Sequence, residues 1–378
     1  MENMEKEFFD LVASIEPADE EAKAQAKQRQ DYLAKVPGSL GRLEDMSIKI
    51  AGITGKPYGN SVSKQAILLM CADNGVVEEG VASAPQSVTL MQTINFTRRI
   101  TGVSSMAEYF GIDLLVTDVG VKMEIPQALY TDSMLTEDGN ITRKIVNRRI
   151  AAGTKNFVKE PAMTREETIR ALMTGIEAAK AAKDAGAELI GVGEMGIGNT
   201  TTGSAVLSAL TGESAEAVTG RGGGLNDEGL RKKLKVVEEG VNRYCMADPI
   251  EKLANVGGFD IAAMAGAYLG AGIYKIPVVI DGFISIVAAC VAKELNTTVT
   301  DYMFASHKSF ERGYEIAIRR MGLKPMFELD MRLGEASGCP IAFKTIEAAC
   351  AAMNHMKTLE EASIDAGYLE EIREENLF

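Results

Sequence analysis

The residues best placed to do chemistry lie in one stretch, Glu188-Leu189-Ile190-Gly191-Val192-Gly193-Glu194-Met195-Gly196-Ile197-Gly198-Asn199-Thr200-Thr201-Thr202-Gly203. It reads as a short apolar strand, a glycine-rich turn and a helix opening on Asn199 and three threonines. Glycines admit close backbone approach, and a helix N-terminus offers N–H groups and a partial positive charge. That combination suits a phosphate. The same turn holds a carboxylate, Glu194, which would repel one. A loop serving both points to a phosphorylated substrate whose reacting centre lies close to its phosphate. Gly191-x-Gly193-x-x-Gly196 also spells the dinucleotide fingerprint. Glu194 stands where a pyrophosphate would approach, however, and no ribose-binding acid is clearly placed on a following strand end, so a mononucleotide is favoured. Glycines serving only tight strand–helix packing are the plain alternative, and the polar run Asn199–Thr202 weighs against it.

Other segments add candidates. Gly220-Arg221-Gly222-Gly223-Gly224 is a second glycine loop, by composition a flexible connection. Arg231, Lys232, Lys233 and Lys235 follow it, and one lysine of that helix could close over a phosphate while the rest face solvent. Glu335, in Arg332-Leu333-Gly334-Glu335, sits among small residues and is a general-base candidate; its alternative role is a first-turn helix acid. Asp73-Asn74-Gly75 is foremost a turn, followed by neutral residues (Ser83, Ala84, Pro85, Gln86, Gln92) fit to line a pocket for a flat, weakly polar molecule. His307 reads as a satisfied polar residue.

Composition excludes several classes. The 378 residues carry a net charge of −13, a poor match to nucleic acid or anionic membranes. With only two histidines, His307 and His355, a His-rich metal site is excluded. No tryptophan and 6% aromatics argue against stacking platforms for single strands. Five cysteines without paired spacing fit a reducing cytoplasm. The acidic start lacks the apolar core of a signal peptide, and no apolar run is long enough to span a membrane.

The elements that must position these residues follow from periodicity. Continuous apolar runs at 66–71, 113–118, 188–192, 277–281 and 326–330 predict buried strands, with helices between them such as Thr164–Lys183, which opens on the capping box Thr164-Arg165-Glu166-Glu167. Helices are also expected over 19–35, from Ser39 onward and over 343–373. The pattern predicts an α/β fold, a Rossmann-like parallel sheet with helices on both faces, spanning 46–339, plus a small helical subdomain built from 1–45 and 340–378. Ligands of such sheets bind beyond the carboxyl ends of the strands, which nominates Asp73, Glu194, Asp281 and Asp330 for one shared site.

The motifs at 37–44 (Pro-Gly-Ser-Leu-Gly-Arg-Leu-Glu), 73–81, 193–201, 220–224, 281–283 (Asp-Gly-Phe) and 332–335 occur in an order that resembles the nicotinate-nucleotide:dimethylbenzimidazole phosphoribosyltransferase family. The resemblance implies transfer of the phosphoribosyl group of nicotinate mononucleotide to a benzimidazole nitrogen, or to a phenol as in some two-chain relatives. It implies Glu335 as catalytic base and Glu194 as a second active-site carboxylate. It also implies a phosphate and nucleotide site of Gly196, Gly198, Asn199, Thr200, Gly222, Gly223, Lys233 and Ser309, and an acceptor pocket of Ala84, Gln92 and Leu333. No metal or cofactor is implied. The partner the resemblance implies is a second copy of the chain or a paralogue. Asn74, Ala84 and Gly223 depart from residues common in the family (histidine, serine and threonine). A non-catalytic paralogue is the reading from another class, and retention of both Glu194 and Glu335 argues against it.

Overall fold

Apolar runs with no polar face can be satisfied only between two layers of helices, and that is where they lie. The structure, a computed structural model, describes residues 2–369. Among the described residues seven strands, β1 Gln65–Ala72, β2 Asp113–Gly120, β3 Tyr130–Thr131, β4 Ile145–Asn147, β5 Leu189–Met195, β6 Val278–Ile280 and β7 Met303–Ala305, form one sheet in the order β3-β4-β2-β1-β5-β6-β7. Every pairing between them is parallel. All residues of β1 and β5 are buried. From β1 the chain winds to one side through β2 and β4; from β5 it winds to the other. The crevice beyond the carboxyl ends of β1 and β5 is therefore a topological switch point, the usual ligand position of such sheets.

The helix Arg165–Asp184 carries the expected capping box in both directions, Thr164 Oγ1 accepting from Glu167 N and Glu167 from Thr164 N. The helices Glu20–Tyr32, Arg42–Thr54 and Cys339–His355 meet at Ala26, Ala51 and Met353. Cys339 and Phe343, from the last of these, press on β5 at Gly191, where a Cβ would stand 2.7 Å from the Cys339 Sγ. At Gly193 a Cβ would come within 2.4 Å of Ala336 N. The first two fingerprint glycines thus serve close packing of the chain on itself, the plain alternative for that motif.

Two expectations from periodicity are corrected. The run 326–330 is not a strand. Only Phe327 forms a bridge, with His307; Met326 N reaches the end of β7 at Ala305 O, and Glu328, Leu329 and Asp330 are exposed. The run lies past the end of β7, and the chain turns away at Asp330 with φ +51°. The C-terminal helix ends at His355 rather than continuing to 373, and residues beyond Leu369 lie outside the described part. No described helix is long and apolar enough to cross a membrane.

Candidate active site

A cleft of about 280 Å³ opens beyond the carboxyl ends of β5 and β6. Twelve of the thirteen site residues expected from the sequence line it: Ala84, Gln92, Glu194, Gly196, Gly198, Asn199, Thr200, Gly222, Gly223, Ser309, Leu333 and Glu335. The thirteenth, Lys233, sits behind the wall and reaches it through Thr200. Segments far apart in the sequence, from Val81 to Glu335, thus share one cavity.

At one end stands the N-terminus of the helix Asn199–Thr211. Its N-cap, Gly198, has φ +95° and supplies no capping side chain; Asn199 N and Thr201 N turn back to Gly196 O and Gly198 O, and the positive end of the helix faces the cleft at Thr200. A Cβ at Gly196 would stand 2.3 Å from Ala72 O, and one at Gly198 2.5 Å from Val77 Cγ2, so both positions exclude side chains. The Lys233 ammonium, fully buried, donates to Thr200 Oγ1 at 2.9 Å and Gly220 O at 3.1 Å. Burial pushes it down to about 8, so it still carries its charge at neutral pH. Arg231, Lys232 and Lys235 of the same helix are exposed. Gly222 has φ +54°, and its missing side chain leaves room for Thr200 Oγ1 and Lys233 Nζ. This end is built for an anion.

In the middle the sign reverses. Glu194, at the end of β5, is buried; its Oε2 accepts from Asn199 Nδ2 and its Oε1 from Glu335 N at 3.4 Å. Desolvation, then the nearby charge of Asp260, push its carboxyl up to about 8. Asp281, after β6, accepts from Gly338 N at 2.7 Å and is pushed up to about 7 by burial. His307 Nδ1 lies 3.7 Å from Asp281 Oδ1, yet burial lowers the imidazole to about 4, so the pair is not an ion pair at neutral pH.

Glu335 is a carboxyl of the cleft with only one oxygen hydrogen-bonded. Its Oε1 accepts from Gln92 Nε2 at 3.0 Å, while its Oε2 is buried without a hydrogen-bond partner among the described residues. Desolvation holds it above the ordinary glutamate range. Glu335 and Ala336 both adopt left-handed backbone, φ +58° and +60°, a conformation costly for residues with a Cβ. Gly334 precedes them because a Cβ there would stand 2.6 Å from Glu194 Oε1. The expected alternative, a helix first-turn acid, does not apply: the next helix begins at Cys339. Around Glu335 the wall is apolar or neutral: Ala84, Val88, Gln92 and Leu333, the last 58% exposed at the mouth.

Of the four nominated strand-end acids, Glu194 and Asp281 line the cleft. Asp73 turns aside to accept from Lys122 N at 2.8 Å, and Asp330 is exposed away from it. Sequence reasoning missed Asp260, a fully buried carboxylate at the start of the helix Phe259–Ile273. The signal was there: a single acid in the otherwise apolar run Phe259-Asp260-Ile261-Ala262-Ala263-Met264.

A parallel sheet with an anion-binding helix start at its switch point, a buried lysine and two buried glutamates defines a phosphoribosyl-transferring class of site, and the phosphoribosyltransferase family profile matches residues 15–364. The chain is 50% identical to the nicotinate-nucleotide–dimethylbenzimidazole phosphoribosyltransferase of Clostridium perfringens over 98% of both chains, and 43% identical to that of Clostridium tetani over 97% of both. The crystal structure of CobT from Thermus thermophilus superposes with a TM-score of 0.85 at 37% identity, covering 92% of this chain and 100% of that one. The chain belongs to the nicotinate-nucleotide–dimethylbenzimidazole phosphoribosyltransferase family, a family of pentosyltransferases.

Proposed function

We propose that the chain transfers the phosphoribosyl group of nicotinate mononucleotide to 5,6-dimethylbenzimidazole, giving α-ribazole 5′-phosphate and nicotinate for cobamide lower-ligand assembly. The observation that carries this reading is Glu335: a buried carboxyl with one oxygen anchored and the other unpartnered among the described residues, set between an apolar wall and an anion-binding helix start.

The phosphate rests on Gly196, Gly198, Asn199 and Thr200, with Lys233, Ser309 and the loop at Gly222 and Gly223 completing its surroundings. The ribose C1′ then lies toward the carboxylates. The flat acceptor occupies the pocket of Ala84, Gln92 and Leu333. As the lone-pair nitrogen of the azole attacks C1′, the proton on its other ring nitrogen passes to Glu335, so the riboside forms neutral at the azole. The bond from C1′ to the pyridinium nitrogen breaks, and its electron pair neutralises that nitrogen, so nicotinate departs without needing a proton. Attack opposite the departing base inverts β to α. Glu194, once ionised, faces the positive charge that develops at C1′, as carboxylates do in glycosyl transfer.

The five free thiols fit a reducing cytoplasm, and the family resemblance supports a dimer, with a second copy or a paralogue. One observation favours a wider acceptor range: Ala84 brings no hydroxyl to the pocket, so phenols meet no lost hydrogen bond there. The test is direct. Purified chain is incubated with nicotinate mononucleotide and dimethylbenzimidazole, and nicotinate and the riboside phosphate are followed by chromatography. Equimolar release supports the reading; no riboside phosphate with any azole or phenol of a panel rejects it.

A further inference from the structure

Glu194 is gripped by a residue outside the cleft. Asp260 Oδ2 accepts from Asn199 Nδ2 at 3.2 Å, and the same amide nitrogen donates to Glu194 Oε2. One NH₂ group therefore bridges two buried carboxylates carried by different elements, β5 and the helix Phe259–Ile273. Asp260 Oδ1 is occupied by Ile261 N at 3.0 Å. The surroundings leave no slack: a Cβ at Gly196 would stand 2.7 Å from Asp260 Oδ2, and one at Gly258 2.4 Å from Oδ1.

The charges around Glu194 share one sign. Asp260 faces it from its helix and Asp281 from the end of β6, while the Asn199 amide and the Glu335 backbone N–H oppose them by donating to it. Cys71, on β1, is near both Glu194 and Asp260, and burial keeps its thiol neutral. After desolvation, Asp260 is the strongest influence raising Glu194.

We infer that Asp260 is a positioning residue for the transfer, holding Glu194 through the shared amide of Asn199 and deciding by its own charge when Glu194 ionises. The inference rests on the phosphoribosyl-transfer reading above. Asp260 is itself pushed up by burial, to about 6, below the value of about 8 for Glu194. Near neutral pH the pair thus holds one charge and one proton. A cationic pyridinium nucleotide favours the doubly ionised pair, so its arrival drives the Glu194 proton out. The neutral azole riboside lacks that positive charge, so the proton returns when the product forms.

The test uses the full chain with Asp260→Asn and Asp260→Ala. Asparagine keeps an acceptor oxygen for Asn199 and drops the charge; alanine drops both. In Asp260→Asn the acid limb of kcat should move down by roughly one pH unit, since a like charge beside Glu194 is gone. In Asp260→Ala kcat should fall ~10–100-fold with a smaller change in KM for the nucleotide, because the carboxylate is no longer held in place. If alanine prevents folding, the asparagine variant alone carries the test. A second readout needs no turnover: the infrared band of the protonated carboxyl, assigned by its loss in Glu194→Gln, should titrate at lower pH in Asp260→Asn. An unmoved titration midpoint, or pH profiles that superimpose, overturns the inference. A moved midpoint in a chain that forms no riboside phosphate upholds the coupling and rejects the reaction instead.

Discussion

Glu335→Gln isolates the proton-transfer step with little disturbance elsewhere. Gln92 Nε2 donates to Glu335 Oε1 at 3.0 Å, and a glutamine oxygen in the same place keeps that bond. The new NH₂ group occupies the position of Oε2, which has no partner to lose among the described residues. The left-handed backbone, φ +58°, strains glutamine as it strains glutamate, so the backbone contribution to folding is unchanged. What disappears is the ability to take the azole proton, worth ~10²–10⁴-fold in kcat. At about 1.36 kcal/mol per tenfold, that is about 2.7–5.4 kcal/mol of barrier. Nucleotide affinity should hold, because the anion-binding groups Thr200 and Lys233 lie at the other end of the cleft. The assay pairs chromatographic rates of nicotinate release with calorimetric titration of nicotinate mononucleotide. The residual rate of the variant should still fall toward acid pH as Glu194 takes up a proton, because the substitution leaves that carboxyl in place. A variant turning over within about tenfold of wild type at neutral pH would refute the base role.

Other outcomes follow from the same geometry. Lys233→Ala should weaken nicotinate mononucleotide by roughly 1.5–3 kcal/mol while leaving the free acceptor's affinity alone, since the buried charge behind Thr200 and its hydrogen bond to Thr200 Oγ1 are lost; calorimetry with each ligand checks this. Ala84→Ser should reorder the ranking of benzimidazoles and phenols, by about 1–3 kcal/mol between neighbours in the panel, and an unchanged ranking would mean that residue 84 does not face the acceptor. Glu194→Gln should gain stability over wild type as pH rises. The wild-type carboxyl ionises near 4.5 when unfolded and near 8 when folded, so above 4.5 folding must take up a proton and the cost grows until about 8. Thermal melts across that window should show a widening Tm difference, and parallel curves would contradict the buried, protonated state.

Much of this molecule is legible in its sequence because the signals are local. The strands at Gln65–Ala72, Asp113–Gly120 and Leu189–Met195 announce themselves as uninterrupted apolar runs, which only a doubly covered parallel sheet accommodates. The capping box at Thr164 marks a helix start through bonds between residues three apart. Where the pattern misleads, the reason is a neighbour distant in sequence. Met326–Asp330 has the composition of a strand, but it meets β7 only at that strand's last residue, Met326 N donating to Ala305 O, and forms a single bridge at Phe327 before turning away. Asp260 looks like an isolated polar residue until Asn199, 61 positions earlier, is found bonded to it.

By itself the sequence determined the fold class, the family and the membership of the cleft, since each depends on residue type and on motifs read in order. Only the tertiary structure decided how those residues work together. Whether a glycine serves the ligand or the chain depends on where its backbone lies. Gly191 and Gly193 make room for Cys339 and Ala336, whereas Gly196 and Gly198 press against Ala72 and Val77 and so bring their backbone to the wall of the cleft. Which carboxylates hold protons depends on desolvation and on like charges brought close from separate segments, Glu194 from β5, Asp260 from its helix and Asp281 from β6. Electrostatic energy acts through distance in space, and a sequence records only distance along the chain.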